Sequence, residues 1–275
     1  MVKKAGKQED KKAREWSRYL SAVLYGYAGS GKSGFCVRAA EHVGWERTLW
    51  LHADSNVPTF EVPQYTKTSP FGLLNLQLEP IEKIIFAAND AAMAAAHGQW
   101  KYDLIVLDSV SELEFVNIAS IEETKGGSKS GKKSDGRQVW GQEMDDVWRL
   151  MWTLAAGARG DKHIGMGAHL LMTAHVSEHP HPTMPKDADG NPVFILRPHM
   201  RGYWGKGLDH LLDAALYSER AQTGRRKLYL KPTGSIHVLN RFETRDSPAT
   251  LDIPEIDAEE NPFAQLLDIF GIEEI

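Results

Sequence analysis

Short apolar runs recur along the chain, each ending at a small or polar residue: "SAVLY" before Gly26, "TLWLHA" before Asp54, "DLIVLD" ending at Asp108, and "AHLLMTA" before His175. Between them lie segments with apolar residues at helical spacing. The alternation predicts strands at 21–25, 48–53, 103–108 and 168–174, with helices over Lys32 to about Val43, 80–97 and about 138–156. Strands this apolar, separated by helices, imply right-handed crossovers and a mainly parallel sheet flanked by helices. "DAALYSER", "RKLYLKP" and "SIHVLN" follow as short alternating runs joined by turn residues, the pattern of an antiparallel C-terminal extension. Two segments, Glu122 to Arg137 and Val176 to about Gly207, read as long irregular loops, which inside a compact domain are functional or disordered.

Composition sharpens this outline at the two ends. Residues 1–15 are a lysine-rich, solvated arm without the apolar middle of a secretory leader, and no run reaches membrane-spanning length. The expectation is a cytoplasmic protein with no membrane partner. Residues 16–245 form the expected core. The net charge of −5 is unevenly spread, because Leu251 to Ile275 carries eight carboxylates and no Lys or Arg, leaving the first 250 residues at −5 + 8 = +3. Residues 246–275 therefore read as an acidic tail, with 262–270 able to form a short helix, and a polyanionic partner for the body is not excluded. The single Cys36 excludes an internal disulfide and reads as a small apolar residue on the first helix.

The candidate chemistry begins at "GYAGSGKS", Gly26 to Ser33, which has the GxxxxGK[ST] spacing of a phosphate-cradling loop. Glycine is needed there because the backbone must turn its N–H groups onto a polyphosphate, and the following helix N-terminus favours an anion. The loop follows a strand and opens a helix, the context the motif requires. Gly26, Tyr27, Ala28, Gly29, Ser30, Gly31, Lys32, Ser33 and Gly34 are thus the expected ATP-binding residues. Lys32 would reach the β and γ phosphates and Ser33 would ligate Mg²⁺. Asp108, delivered by a buried strand to the same edge, is the second expected Mg²⁺ residue.

These residues together resemble a known family. "LDSVSEL", with Ser109 directly after Asp108, resembles the corresponding motif of the RecA family of strand-exchange ATPases. "LWLHADS" is similar to the family's second strand, which ends in a catalytic carboxylate, and "LLMTAHV" to the strand ending in a γ-phosphate sensor. The compact size and the "MTAH" ending are most similar to the short RecA-like ATPases of bacteriophages that accompany single-strand-annealing proteins. The resemblance implies a RecA-like P-loop NTPase core in which Asp54 orients or deprotonates the attacking water, Asp108 binds Mg²⁺ through water and His175 senses the γ-phosphate. Asp54 stands where recombinases have Glu, and His175 where RecA has Gln; Glu112 and Glu114 are rival bases that only geometry can separate from Asp54.

Two segments carry the expected contact with single-stranded DNA. Lys125, Lys129, Lys132, Lys133 and Arg137 lie among glycines and serines, suited to salt-sensitive phosphate contacts. Arg197, Arg201, Tyr203, Trp204 and Lys206 mix cations with stacking faces, the combination used on single strands. Trp140, Trp148 and Trp152, at helical spacing, read instead as core or subunit contact. The function expected is an oligomeric, DNA-stimulated ATPase of phage-type recombination, as ring or filament, working in the host cytoplasm with a single-strand-annealing or single-strand-binding protein. Rival functions are a hexameric helicase or translocase on the same core, a nucleotide kinase and a non-hydrolysing ATP-dependent scaffold. One of Arg220, Arg225, Arg226 and Lys227 is the expected cation acting on a neighbouring subunit's site.

Overall fold

The structure is a computed structural model; it describes residues 19–53, 72–75, 102–126, 141, 147–152, 154–155, 167–181, 183, 186–199, 210, 212–255 and 258–273, with backbone alone for 72–75, 116, 120 and 122–126. The arm at 1–15 and the helix expected at 80–97 lie outside the described residues.

Among the described residues, each apolar run becomes a strand of one nine-stranded sheet. The elements are β1 (Ser21–Tyr25), α1 (Lys32–Val43), β2 (Thr48–His52), β3 (Gly72–Asn75), β4 (Leu104–Asp108), α2 (Val110–Gly126) and β5 (His169–Ala174). There follow β6 (Val176–Pro180), β7 (Phe194–Pro198), β8 (Ala214–Arg220), β9 (Arg226–Tyr229), β10 (Leu239–Asn240), β11 (Thr250–Ile253) and α3 (Pro262–Phe270). The order across the sheet is β11-β9-β8-β1-β5-β4-β2-β3, with β10 beside β8. From β3 to β8 every pairing is parallel; β9, β10 and β11 are antiparallel. The chain leaves β1 through α1 and returns at β2, beyond β5 and β4. That reversal opens a crevice at the carboxyl ends of β1, β5 and β4, where open α/β sheets bind ligands.

The period of two along each strand divides the core into two layers. Val23, Tyr25, Ile105, Leu107, Leu170 and Met172 face Val110 and Leu113 of α2 and a further helical stretch carrying Leu150, Met151 and Leu154. Ala22, Leu24, Leu104, Val106 and Leu171 face Phe35, Cys36, Ala39 and Ala40 of α1 and Phe263, Leu266 and Leu267 of α3. Cys36 is buried, as expected. Trp148 packs partly buried against the first layer, while Trp152 is exposed.

Three regions differ from the expectation, each for a physical reason. Residues 122–126, expected in a loop, complete α2; the helix mixes apolar and polar residues around its whole circumference, so no stripe announces it. The segment after His175 opens as a β6–β7 hairpin, β6 largely polar and β7 apolar at Phe194, Ile195 and Leu196, the two strands ending at Pro180 and Pro198. Its turn is built by Asp187, whose carboxylate accepts from the N–H groups of Asp189 at 3.0 Å and Asn191 at 2.8 Å. Finally, β8 runs parallel to β1, so the antiparallel part begins at β9.

The acidic C-terminal segment folds onto the body. Asn261 caps α3, its side chain accepting from Phe263 N at 2.9 Å and Ala264 N at 3.3 Å, and Gly271 closes the helix at φ 66°. Arg38 of α1 donates to the carbonyls of Ala258 at 2.7 Å and Glu260 at 3.0 Å, so a cation takes up the backbone between strand and helix.

Candidate nucleotide site

The loop from Gly26 to Ser33 leaves the centre of the sheet and is shaped by its neighbours. A side chain at Gly26 would collide with the carbonyl oxygen of Ser218 on β8, so the strand wall excludes it. Ser218 Oγ donates to Ser30 O at 2.8 Å and fixes the far side of the turn. Gly31 has φ 101°, a left-handed conformation that side chains rarely adopt. α1 then starts with no side-chain cap. Its first-turn N–H groups, which like those of any helix lack intrahelical acceptors, are therefore not taken up by a side-chain cap at the positive end of the helix dipole, the arrangement that binds phosphate.

The polar side chains converge at this edge. Lys32, 9% exposed, donates from Nζ to Gly26 O at 3.0 Å and Tyr27 O at 2.9 Å, holding its charge across the loop. Ser33 Oγ donates to Asp108 Oδ1 at 3.3 Å, and Thr173 Oγ1 on β5 donates to the same oxygen at 2.5 Å. Asp108 is buried, and the peptide bond joining it to Ser109 is cis. A hydroxyl and a carboxylate this close are an oxygen donor set suited to Mg²⁺, so the residues present fit the metal expected here. Tyr27, Ala28 and Gly29 are exposed along the loop's rim.

On the α2 side, His175 Nε2 lies 3.2 Å from Glu112 Oε1, and His175 N donates to Ser111 Oγ at 2.9 Å. The structure thus joins the expected sensor to one rival base, both partly exposed at the crevice, while Glu114 is buried. Asp54 lies outside the described residues, one residue beyond Ala53, whose N–H bonds to Asp108 O at 2.7 Å. Of the expected DNA residues, Lys129, Lys132, Lys133, Arg137, Arg201, Tyr203, Trp204 and Lys206 lie outside the described residues, as does the side chain of Lys125. Arg197 sits half-buried on β7 with its Nε shielded from solvent. It stands near Tyr25, whose hydroxyl pKa burial raises, helped by Tyr217 and opposed by Arg197.

Three residues escape the motif. Ser218 and Arg226 build the wall against Gly26 and Gly31 from strands remote in sequence; no local pattern marks Ser218, and Arg226 was expected only as one of four cations that could act on a neighbouring subunit's site. His52 is more telling: it is 5% exposed, lies in register with Asp108, and neither ring nitrogen has a hydrogen-bond partner among the described residues. A polar residue ending an apolar strand was its only signal.

A nucleotide loop at the switch point of a mainly parallel, helix-flanked sheet, with a strand-borne Asp at its side, defines a RecA-like P-loop protein of the nucleotide-hydrolysing class. Residues 18–242 match the family model described as an AAA domain, and the chain belongs to that family. No curated protein sequence matches. Among solved structures, one described as the RadB recombinase is 13% identical with a TM-score of 0.43, covering 85% of this chain and 93% of that one. An ATPase from the type III secretion system of pathogenic bacteria is 13% identical with a TM-score of 0.38, covering 76% of this chain and 56% of that one. Likeness this faint carries no argument about what the chain acts on. No helix among the described residues is long and apolar enough to cross a membrane.

Proposed function

We propose that this protein is a Mg²⁺-dependent ATPase that binds single-stranded DNA and supports phage-type recombination by annealing or strand exchange, as an oligomer. The observation that carries the ATPase part is the meeting of Lys32, Ser33 and Asp108 at the uncapped start of α1. The loop N–H groups and Lys32 take the phosphates of ATP. Ser33 and Asp108 would hold Mg²⁺, which would supply charge neutralisation at the phosphates. A carboxylate then orients the attacking water; Asp54 and Glu112 are the two candidates, and Glu112 is already hydrogen-bonded to His175, the proposed γ-phosphate sensor. Lys125, Lys129, Lys132, Lys133 and Arg137, with Arg197, Arg201, Tyr203, Trp204 and Lys206, are the proposed DNA contacts, supported by their charge and aromatic content.

The test is the ATPase rate with and without single-stranded DNA, run beside annealing and strand-separation assays. Hydrolysis that rises with DNA, together with accelerated annealing, is expected. No hydrolysis overturns the ATPase reading; hydrolysis indifferent to DNA overturns the DNA part; strand separation without annealing replaces recombination with a translocating motor. Asp54→Asn and Glu112→Gln identify the base: the one that binds ATP yet hydrolyses it slowly held the water.

A further inference from the structure

A cation of the same subunit leans on the phosphate loop, and an acidic residue of the C-terminal segment holds it. Arg226 opens β9. An ideal Cβ on Gly31 would lie 2.6 Å from Arg226 Cδ, so the side-chain stem of Arg226 packs on the glycine immediately before Lys32. Its Nε is shielded from solvent and has no partner among the described residues. Its Nη1 donates to Glu255 Oε2 at 3.0 Å. Strand register produces this contact: β11 pairs with β9 so that Ile253 faces Arg226, and Glu255 follows two residues later. The two partners are unequal, since the Glu255 side chain is 72% exposed and Arg226 only 25%. Breaking the pair returns Glu255 to water at small cost, because such a pair is weakly held.

We propose that Arg226 is a nucleotide-contact residue of its own subunit, donating to the phosphates of a nucleoside triphosphate, and that Glu255 competes with those phosphates for it. A triphosphate brings several negative charges to a loop where Glu255 offers one, and guanidinium–phosphate hydrogen bonds are among the stronger polar contacts. The Arg226 Nε beside the loop, without a partner among the described residues, is a donor left for this purpose. The assignment differs from the expectation that a cation of this hairpin acts on a neighbouring subunit, because the Arg226 stem lies on its own loop. It also gives one carboxylate of the acidic segment a role in setting the affinity of the nucleotide site.

The inference rests on the proposed nucleotide site, and calorimetry on the full chain separates the two. Titrated into wild type, Arg226→Ala, Arg226→Lys, Glu255→Gln and the double variant are ATP, inorganic triphosphate and adenosine. Arg226→Ala should weaken ATP and triphosphate about tenfold or more, leaving adenosine unchanged, with Arg226→Lys in between. Glu255→Gln should tighten both anions by about twofold to fivefold, and the double variant should match Arg226→Ala, because Glu255 acts only through Arg226. Thermal melts select the variants that stay folded; Arg226→Lys, which keeps charge and stem, carries the test where Arg226→Ala does not. Wild type that binds neither anion defeats the nucleotide site itself. Wild type that binds, with Arg226 variants unchanged, defeats the contact alone. Glu255→Gln weakening the anions means that Glu255 positions Arg226 for them, and overturns competition.

Discussion

The two ends of the parallel strands are built from similar side chains to opposite purposes. At the amino end, polar groups close on one another: Leu20 N donates to His169 Nδ1 at 3.0 Å, Ser21 N to Asp213 Oδ2 at 3.3 Å, and Phe263 of α3 covers the His169 ring edge-on at 5.5 Å. At the carboxyl end, Lys32 spans loop carbonyls, two hydroxyls crowd one oxygen of Asp108, and His52 has no partner among the described residues. Ser21 Oγ at the amino end also has no partner among the described residues, so the contrast lies in what converges: at the carboxyl end a lysine, a carboxylate and an uncapped helix start meet beside one loop, a setting that an anionic ligand completes. Both histidines, His52 and His169, are buried on the same sheet. Among the described residues, only the one at the amino end has a hydrogen-bond partner.

If the amino end is the stabilising one, removing its cover should unfold the protein. Truncation after Thr250 deletes α3 and exposes the Phe35 and Ala39 face of α1. Phe263, Leu266, Leu267 and Phe270 are all buried, and at roughly 1.5–3 kcal/mol each their loss approaches the whole stability of a domain. The expected product is insoluble or lacks a cooperative melt. A truncated chain that melts like the full one would return the segment to a detachable tail.

At the carboxyl end a large loss of activity should leave the fold cooperative. Lys32→Ala is expected to drop ATP turnover by about a hundredfold or more, from loss of charge at the phosphates, while the melt stays cooperative and shifts by about 1–3 kcal/mol equivalent, the cost of two loop carbonyls losing their donor. Near-normal hydrolysis would break the contrast, and so would a collapsed melt.

The two ends were also unequally legible. β1, α1 and the phosphate loop follow from a local spacing with a chemical reason behind each residue, and the structure puts them at the expected boundaries. The sheet edge next to them was not readable, since Ser218 and Arg226 reach the loop through strand pairings almost 190 residues away in sequence for Ser218 and Ser30. α2 hid because its apolar residues encircle it, and β6 because it is mostly polar and exposed, with Val176 alone packed on the core, too little to impose alternation. The C-terminal segment was legible as a helix at 262–270, and its charge count drew attention from its apolar face, which decides where it sits. Charge is a property of composition, whereas burial depends on which few residues line one face.

The smallest expected effect sharpens the comparison through pH. His169 is enclosed by Tyr19, His42 and Phe263, with Leu20 N donating to its Nδ1. Burial, with a lesser contribution from His42, lowers its pKa from the ordinary 6.5 to about 4. The unfolded chain therefore binds a proton on His169 between those values while the folded chain does not, so stability is complete above about pH 6.5 and falls as the pH drops toward 4. At 1.36 kcal/mol per pH unit the loss amounts to about 3 kcal/mol at most. Urea midpoints at about pH 7 and about pH 4.5, on either side of most of that window, measure it. His169→Asn offers an amide oxygen to Leu20 N without a titrating ring, and should flatten the dependence over this window while lowering stability at neutral pH. An unchanged slope in that variant would move the acid sensitivity to the carboxylates and remove His169 from the amino end's account.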